Sequence, residues 1–169
     1  MNLNELAKKV HQANIKWWQN IDTGEPIERN YKELLALVIS EVSECLEGER
    51  KDLLDDKLRH RKMAEVEMAD TFIRLLDFSA GFNIILSDTV LAGYDIPDNK
   101  GEALFELTEL IVRIDSNGYW ITPVLSYIIS YCKKHNYDLW RAMEEKMAFN
   151  ATREDHTHEA RRIAGGKQF

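Results

Sequence analysis

Four carboxylates stand in two pairs of equal spacing, and they are the residues of this chain best suited to chemistry. Glu41 and Glu44 lie three positions apart, and Glu67 and Asp70 repeat that interval. Residues three apart on a helix share one face, so two neighbouring helices would bring all four acids together. Carboxylates at such short range repel one another unless cations hold them in place. The spacing therefore predicts a divalent-metal site.

The donor atoms indicate which metal this site would take. A set made only of carboxylates suits Mg²⁺, with Mn²⁺ as a possible substitute, better than Zn²⁺. Di-iron bundles combine helical carboxylates with a Glu-x-x-His motif. Here Glu47 follows Glu44 and Ile73 follows Asp70 at the required interval, so neither position holds a histidine.

The pattern around Glu41 argues against four ordinary surface charges. Apolar residues flank Glu41 on its own side of the predicted helix, so this carboxylate points toward the packed face; they are Leu34, Leu37, Val38, Val42 and Cys45. Burying an unpaired carboxylate costs several kcal/mol, so it needs a partner. Arg74 could neutralise one acid but not four. Arg74 and Asp77 extend the stripe of Glu67 and Asp70 and are candidates to orient the metal ligands.

Helical periodicity organises the rest of the chain. Proline occurs only at positions 26, 97 and 123, which favours helices throughout. The periodicity predicts helices over residues 3–18, 30–46, 63–78, 102–115, 122–135 and 138–150, with a short one over 84–94. We therefore predict an all-α fold, an antiparallel bundle of about five to six helices with the acids between the second and third. Residues 1–150 would form one domain, and 151–169 a basic, flexible tail.

The composition of the chain limits which partners it can bind and where in the cell it is expected. A chain of 169 residues with a net charge of −7 is an ordinary globular length and lacks the basic footprint of broad nucleic-acid binding. No apolar run is long enough to span a membrane, and no secretory signal is visible. Cys45 and Cys132 lack metal-ligand spacing and are predicted to be buried free thiols in the reducing cytoplasm.

Two motifs together resemble a known family. Glu41-x-x-Glu44 followed by Glu67-x-x-Asp70 resembles the hallmark of the all-α nucleoside triphosphate pyrophosphohydrolases, the MazG-like and dimeric dUTPase-like proteins. Residues 145–153 resemble the family's E-K-[ML]-x-x-N-x-x-R ending, and Gly165-Gly166-Lys167 resembles its Gly-Gly-Lys tail. The resemblance covers the first helix to Phe78 and then Leu139 to the C-terminus. The stretch over 83–136 is longer than in the compact MazG-like module.

The resemblance implies a reaction and an assembly. In that family the four acids bind Mg²⁺, and a metal-activated water cleaves a nucleoside triphosphate to the monophosphate and pyrophosphate. Glu44 is the candidate to orient or deprotonate that water, with Glu41 beside it. Family members self-associate with neighbouring subunits completing the pocket, which implies a homodimer or homotetramer.

Substrate contacts are expected at both ends of the chain. By the resemblance, Lys146, Arg153 and Lys167 would hold the phosphates, with Asn150 as an orienting polar contact. The first helix offers Asn14 to read a base edge, and Trp17 or Trp18 to stack on it. Adjacent tryptophans on a helix face different ways, so we expect at most one to touch substrate. The charged connector offers further phosphate candidates in Lys51, Lys57, His60 and Arg61.

Two alternatives stay open at this point. The same scaffold could be a diphosphatase specific for dUTP or dCTP. A different class would be a non-catalytic helical adaptor whose acids are vestigial or bind structural cations. The enzyme interpretation is favoured, because an adaptor gives no reason for the acids and the Lys-Asn-Arg-Lys ending to occur together.

Overall fold

The computed structural model describes residues 2–87, 93–163 and 165–166, and within them the fold is all-α, as predicted. The helices are α1 (Leu3–Asn14), α2 (Tyr31–Lys51), α3 (Met63–Gly81), α4 (Lys100–Val112), α5 (Ile121–Lys134), α6 (Leu139–Ala151) and α7 (His158–Arg162). Two 3₁₀ turns, Ile15–Trp18 and Glu154–His156, follow α1 and α6. Two isolated β-bridges are the only strand-like pairings of the described part.

Helix α3 is the centre of the bundle. It packs against α1, α2, α5 and α6, while α4 packs against α2 and α5. Six apolar side chains of α3 are fully buried: Val66, Met68, Ala69, Phe72, Leu75 and Leu76. A helix that is apolar on several faces must lie inside the protein. The acids that α3 carries are consequently drawn toward the interior.

The two acid-bearing helices meet closely at their connection. Helix α2 continues to Lys51 rather than ending near Leu46, so the predicted end is too early. Gly48 faces the start of α3, where a Cβ atom would lie 2.8 Å from the Ala64 nitrogen. Only glycine permits this approach. Asp52 then closes α2 in the left-handed conformation, with φ of 50°.

The short helix predicted over 84–94 is wrong where the structure describes it. Residues 84–87 and 93–94 are not helical, and 88–92 lie outside the described residues. Asn83 ends the preceding helix with a φ of 56°. The Asn4 side chain then bonds both backbone groups of Leu86, accepting from its nitrogen at 2.8 Å and donating to its oxygen at 2.9 Å. These bonds satisfy the backbone without a helix.

Two further observations bear on the expected environment. Among the described residues, no helix combines the length and the apolarity needed to cross a membrane. Cys45 and Cys132 are buried and free, which confirms that they form no disulfide.

Candidate metal centre

Three of the four predicted acids converge on one point between α2 and α3. One carboxylate oxygen each from Glu41, Glu67 and Asp70 lies within 4.8 Å of the other two. Glu41 and Glu67 are only 7% and 5% exposed. Glu44 stands outside this group as an exposed residue, but its side chain lines the same cleft. We refer to Glu41, Glu67 and Asp70 as the carboxylate cluster.

Two cations partly neutralise the carboxylate cluster. The Arg74 guanidinium forms an ion pair with Glu41: its Nε atom donates a hydrogen bond to Oε1 at 2.7 Å, and its Nη2 atom lies 2.6 Å from the same oxygen. Nζ of Lys146, on α6, lies 2.7 Å from Oδ2 of Asp70. Arg74 thus pairs with one acid, as its place on the sequence stripe suggested.

Within the carboxylate cluster, Glu67 is the acid that has no ion pair with a described residue. No described lysine, arginine or histidine nitrogen lies within 4.0 Å of its carboxylate, and its hydrogen-bond contact is to another acid, Glu41. With Glu44 included, four carboxylates face two paired cations. When all four carboxylates are ionised, one divalent cation would balance the two remaining negative charges.

Proton affinities reflect this imbalance. Burial, with Asp70 and Glu41 alongside and Lys146 acting in the opposite direction, raises the pKa of Glu67 to about 9. Burial raises the pKa of Asp70 to about 6, with Lys146 opposing the rise and Glu41 adding to it. Partial desolvation and then the Glu41 charge raise the pKa of Glu44. Each shift has the sign expected when carboxylates are crowded away from water.

The carboxylate cluster fits a hard divalent cation. All its donor atoms are oxygens, which Mg²⁺ and Mn²⁺ prefer. Its excess of buried negative charge is the environment in which a cation gains most from binding. Glu41, Glu67 and Asp70 would be the protein ligands, with Glu44 near enough to the cleft to act beside them.

A cleft of about 500 Å³ opens beside the carboxylate cluster. This volume falls in the usual range for a small-molecule site. Its wall is built from α1, α2, α3 and α6 together with the turns after α1 and α6. Six cationic side chains line it: Lys16, Arg29, Lys57, Arg74, Lys146 and Arg153. Acids at one point and cations around them suit a metal and a polyanion.

Most of the predicted substrate contacts line the cleft. Asn14, Trp17, Lys146, Asn150 and Arg153 all line this cleft, although they come from opposite ends of the chain. The Oδ1 atom of Asn150 is buried without a hydrogen-bond partner, so it can accept a hydrogen bond from a bound molecule. Lys167 lies outside the described residues.

The two adjacent tryptophans take separate places. Trp17 lines the cleft, whereas Trp18 does not and is 8% exposed. The Trp18 indole nitrogen lies 3.1 Å from Oδ1 of Asp77, to which it donates a hydrogen bond. Its ring fills the space over Gly81, where a Cβ atom would come within 2.2 Å of it. Of the pair, Trp17 is therefore the one placed to touch a ligand.

Asp77 bonds to three side chains of α1 and the turn that follows it. Its carboxylate also contacts Nδ1 of His11 at 2.7 Å and accepts from Nδ2 of Asn14 at 3.3 Å. These bonds fix the Asn14 amide with its nitrogen toward Asp77. Asp77 thus orients a predicted substrate residue rather than a metal ligand.

The charged connector between α2 and α3 has mainly a structural role. Glu145 accepts hydrogen bonds from Nε of Arg61 at 2.6 Å and Nη2 of Arg61 at 3.1 Å, and its carboxylate also contacts Nε2 of His60 at 2.9 Å. These contacts, with Arg61 first, lower the pKa of Glu145 to about 2. His60 and Arg61 therefore join the connector to α6, and Arg61 also donates to Oε1 of Glu65, on α3, at 2.9 Å. Of the four connector candidates, Lys57 lines the cleft.

Sequence reasoning missed two cationic residues of the cleft wall. Lys16 and Arg29 both line the cleft. Arg29 lies in a segment that reads as an irregular loop, yet its side chain is only 4% exposed and pairs with Glu33 at 2.6 Å. The four-residue spacing of Arg29 and Glu33 at the start of α2 was the available signal.

Comparison with protein-family models, with curated proteins and with solved structures found no match to this chain.

Proposed function

We propose that this protein is a Mg²⁺-dependent nucleoside triphosphate pyrophosphohydrolase, which hydrolyses a (deoxy)nucleoside triphosphate to the monophosphate and pyrophosphate. The observation that carries the proposal is the buried Glu67 carboxylate, which faces Glu41 and Asp70 and has no ion pair among the described residues. Such a group is costly in a protein that never binds a cation.

The metal would be held by Glu41, Glu67 and Asp70. When bound, Mg²⁺ lowers the pKa of water and neutralises phosphate oxygens, and Mn²⁺ is a plausible substitute. Glu44 is the candidate general base, because it lines the cleft, lies outside the carboxylate cluster and is open to water. Its raised pKa, caused first by partial burial, makes it a stronger base than an ordinary glutamate. Glu41 would support it through the charge that raises that pKa.

The cations of the cleft would bind the triphosphate. Lys146 contacts the carboxylate cluster and lines the cleft, so it can reach a phosphate held against the metal. Arg153 extends the same wall beyond the end of α6. Charge-assisted bonds from such groups both bind and align a polyanion. We assign Lys167 to the same role on the family resemblance alone.

The nucleoside end is assigned to α1 and the turn after it. Trp17 provides an aromatic surface and Asn14 a fixed amide, and both line the cleft. Aromatic rings stack on bases of any type, while an amide reads a base edge. Asn150 would accept a hydrogen bond through its unpartnered Oδ1 atom.

The adaptor alternative explains less of the molecule. A structural role would favour acids that are fully paired, as Glu145 is by Arg61 and His60. It gives no reason for a cleft in which an acid cluster is surrounded by cations.

A product assay tests the proposal. Purified protein is incubated with Mg²⁺ and a panel of canonical and modified nucleoside triphosphates, including dUTP and dCTP, and pyrophosphate and monophosphate are measured. We expect both products in equal amounts. Turnover of dUTP or dCTP alone would support the specific diphosphatase. Absence of turnover with every substrate, together with no Mg²⁺-dependent thermal shift, would leave the adaptor.

We further propose that the chain is cytoplasmic and forms a homodimer or homotetramer. Two buried free thiols suit a reducing compartment. Phe105 and Val112 of α4 are 65% and 62% exposed, and such apolar side chains could be covered by a second copy. Light scattering of the purified protein tests the assembly.

A further inference from the structure

The segment after α6 folds back over the turn that follows α1. We call residues 152–163 the C-terminal strap. Arg162 of the strap donates hydrogen bonds to the Ile21 oxygen, from Nε at 3.1 Å and Nη2 at 2.7 Å. Nδ1 of His158 lies 3.2 Å from the same oxygen. The strap is thereby joined to the segment that follows α1.

Arg161 is the strap residue that reaches Trp17. Its side chain is almost completely buried, with 1% exposure. Its Nη1 atom donates to the Lys16 oxygen at 2.7 Å, and its Cζ atom lies 4.2 Å from the centroid of the Trp17 ring. A guanidinium at that distance over an indole forms a favourable cation–π contact. His156, also of the strap, meets the same ring edge-on at 5.2 Å.

The backbone at Trp17 is fixed as well. Nη1 of Arg29 lies 2.5 Å from the Trp17 oxygen, to which it donates a hydrogen bond. Two buried arginines therefore hold this turn, one through the main chain of Trp17 and one through its ring. The next residue, Trp18, is held in the core by Asp77. Trp17 has little freedom to leave the cleft wall while the strap is in place.

We propose that the C-terminal strap positions Trp17 to contact the nucleobase, with Arg161 as the positioning residue. This inference rests on the proposed function. Trp17 lines the cleft, whereas Arg161 is absent from its wall, so Arg161 acts through Trp17 rather than on substrate. The strap thus controls affinity for the nucleoside, separately from the carboxylate cluster that would bind the metal.

Calorimetric binding to the full chain tests this directly. The probes are the α,β-imido analogues of dUTP, dCTP, dATP and dGTP, and inorganic tripolyphosphate, each with Mg²⁺. Tripolyphosphate carries the phosphates without a base. The variants are Arg161→Met, Arg161→Lys, Trp17→Ala and the double variant Trp17→Ala/Arg161→Met. Arg162→Met is the matched control, because Arg162 holds the strap without contacting the Trp17 ring.

We expect the wild type to bind at least one nucleotide analogue more tightly than tripolyphosphate. Arg161→Met should weaken that nucleotide about tenfold, as expected for a desolvated cation–π contact, and leave tripolyphosphate unchanged. Arg161→Lys should recover part of the loss and Arg162→Met should lose less. The double variant should bind like Trp17→Ala alone, since both changes remove one interaction.

Several results would overturn the inference. These are unchanged nucleotide affinity in Arg161→Met, an equal loss for tripolyphosphate, or losses that add in the double variant. Unchanged nucleotide affinity in Trp17→Ala would overturn it even if Arg161→Met did not fold. Tripolyphosphate binding without any preference for a nucleotide would also overturn it, while leaving the proposed metal and phosphate site intact. Failure of every probe to bind would overturn both.

Discussion

Nζ of Lys146 lies 2.7 Å from Oδ2 of Asp70, although the two residues stand on α6 and α3. The contact places a buried ammonium group at the edge of the carboxylate cluster, where it partly compensates for the negative charge. It also joins the predicted metal ligands to the helix that carries Asn150 and leads to Arg153. The proposed metal ligands and the proposed phosphate contacts thereby line one cleft.

Asp70→Asn should abolish turnover while keeping the helical circular dichroism signal. The amide preserves the shape of the side chain but removes the charge that both Lys146 and a metal require. Pyrophosphate release measures the loss. Asp98→Asn is the matched control, because the Asp98 side chain is 98% exposed and does not line the cleft. Retained activity in Asp70→Asn would refute its ligand role.

The free energy of unfolding without metal should depend on pH through Glu67. Its pKa is about 9 in the folded chain and has an ordinary value of 4.5. Between these values the folded state holds more protons than the unfolded state, so stability falls as pH rises. One such group changes the free energy by at most about 1.4 kcal/mol per pH unit. Melting in EDTA from pH 6 to pH 9 measures this decline.

The variant Glu67→Gln shows how much of this pH dependence comes from Glu67. The variant should lose most of this decline and keep only the part near pH 6 that comes from Asp70, whereas Glu109→Gln, at an exposed position of α4, should follow the wild type. Mg²⁺ competes with the proton, so its stabilising effect on the wild type should be larger at pH 8.5 than at pH 6. A decline of equal slope in Glu67→Gln would contradict the assignment.

Arg153→Ala should mainly raise KM. Arg153 lines the cleft, and its Nη2 atom pairs with Oδ2 of Asp155 at 2.6 Å. Replacing Arg153 therefore removes a proposed phosphate contact and leaves the carboxylate cluster unchanged. We expect KM to rise on the order of tenfold with a smaller change in kcat. Arg141→Ala, on the exposed side of α6, should leave KM unaltered. An unchanged KM in Arg153→Ala would return it to a structural role.

Arg61→Met should lower the free energy of unfolding by about 2–4 kcal/mol, because it leaves a buried carboxylate without its partner. Arg61 is 8% exposed and bonds both Glu65 and Glu145. Urea unfolding measures the change. The neighbouring Arg59 is exposed, so Arg59→Met should cost less than about 0.5 kcal/mol. If the free energy of unfolding fell equally in the two variants, the ion pairs of Arg61 would not be the cause of the destabilisation.

Local patterns predicted the all-α fold and the convergence of three of the four acids. The burial of Val66, Ala69, Phe72 and Leu76 follows from helical spacing. Glu41 points inward because apolar residues flank it on its own helix. The helix predicted from residue 30 begins there, because Oδ1 of Asn30 caps α2 by accepting from the Lys32 nitrogen at 2.9 Å. Each of these depends on residues within one or two turns of helix.

Tertiary contacts could not be predicted in the same way. The pairing of Lys146 with Asp70, and that of Arg61 with Glu145, depend on how α6 packs against α3. The contact of Arg161 with Trp17 joins residues near opposite ends of the chain. The helix predicted from residue 84 is absent over the described residues 84–87, where the side chain of Asn4, far away in sequence, bonds the Leu86 backbone. The periodicity of a local sequence cannot predict a hydrogen bond between residues so far apart in the chain.

Binding of Mn²⁺ to the wild type and to Glu67→Gln, titrated by electron paramagnetic resonance at pH 8.5, tests the metal site most directly. The account predicts saturable binding of at least one Mn²⁺ per wild-type chain, displaced by Mg²⁺ and lost in Glu67→Gln. Absence of binding to the wild type, or equal binding by the variant, would contradict it.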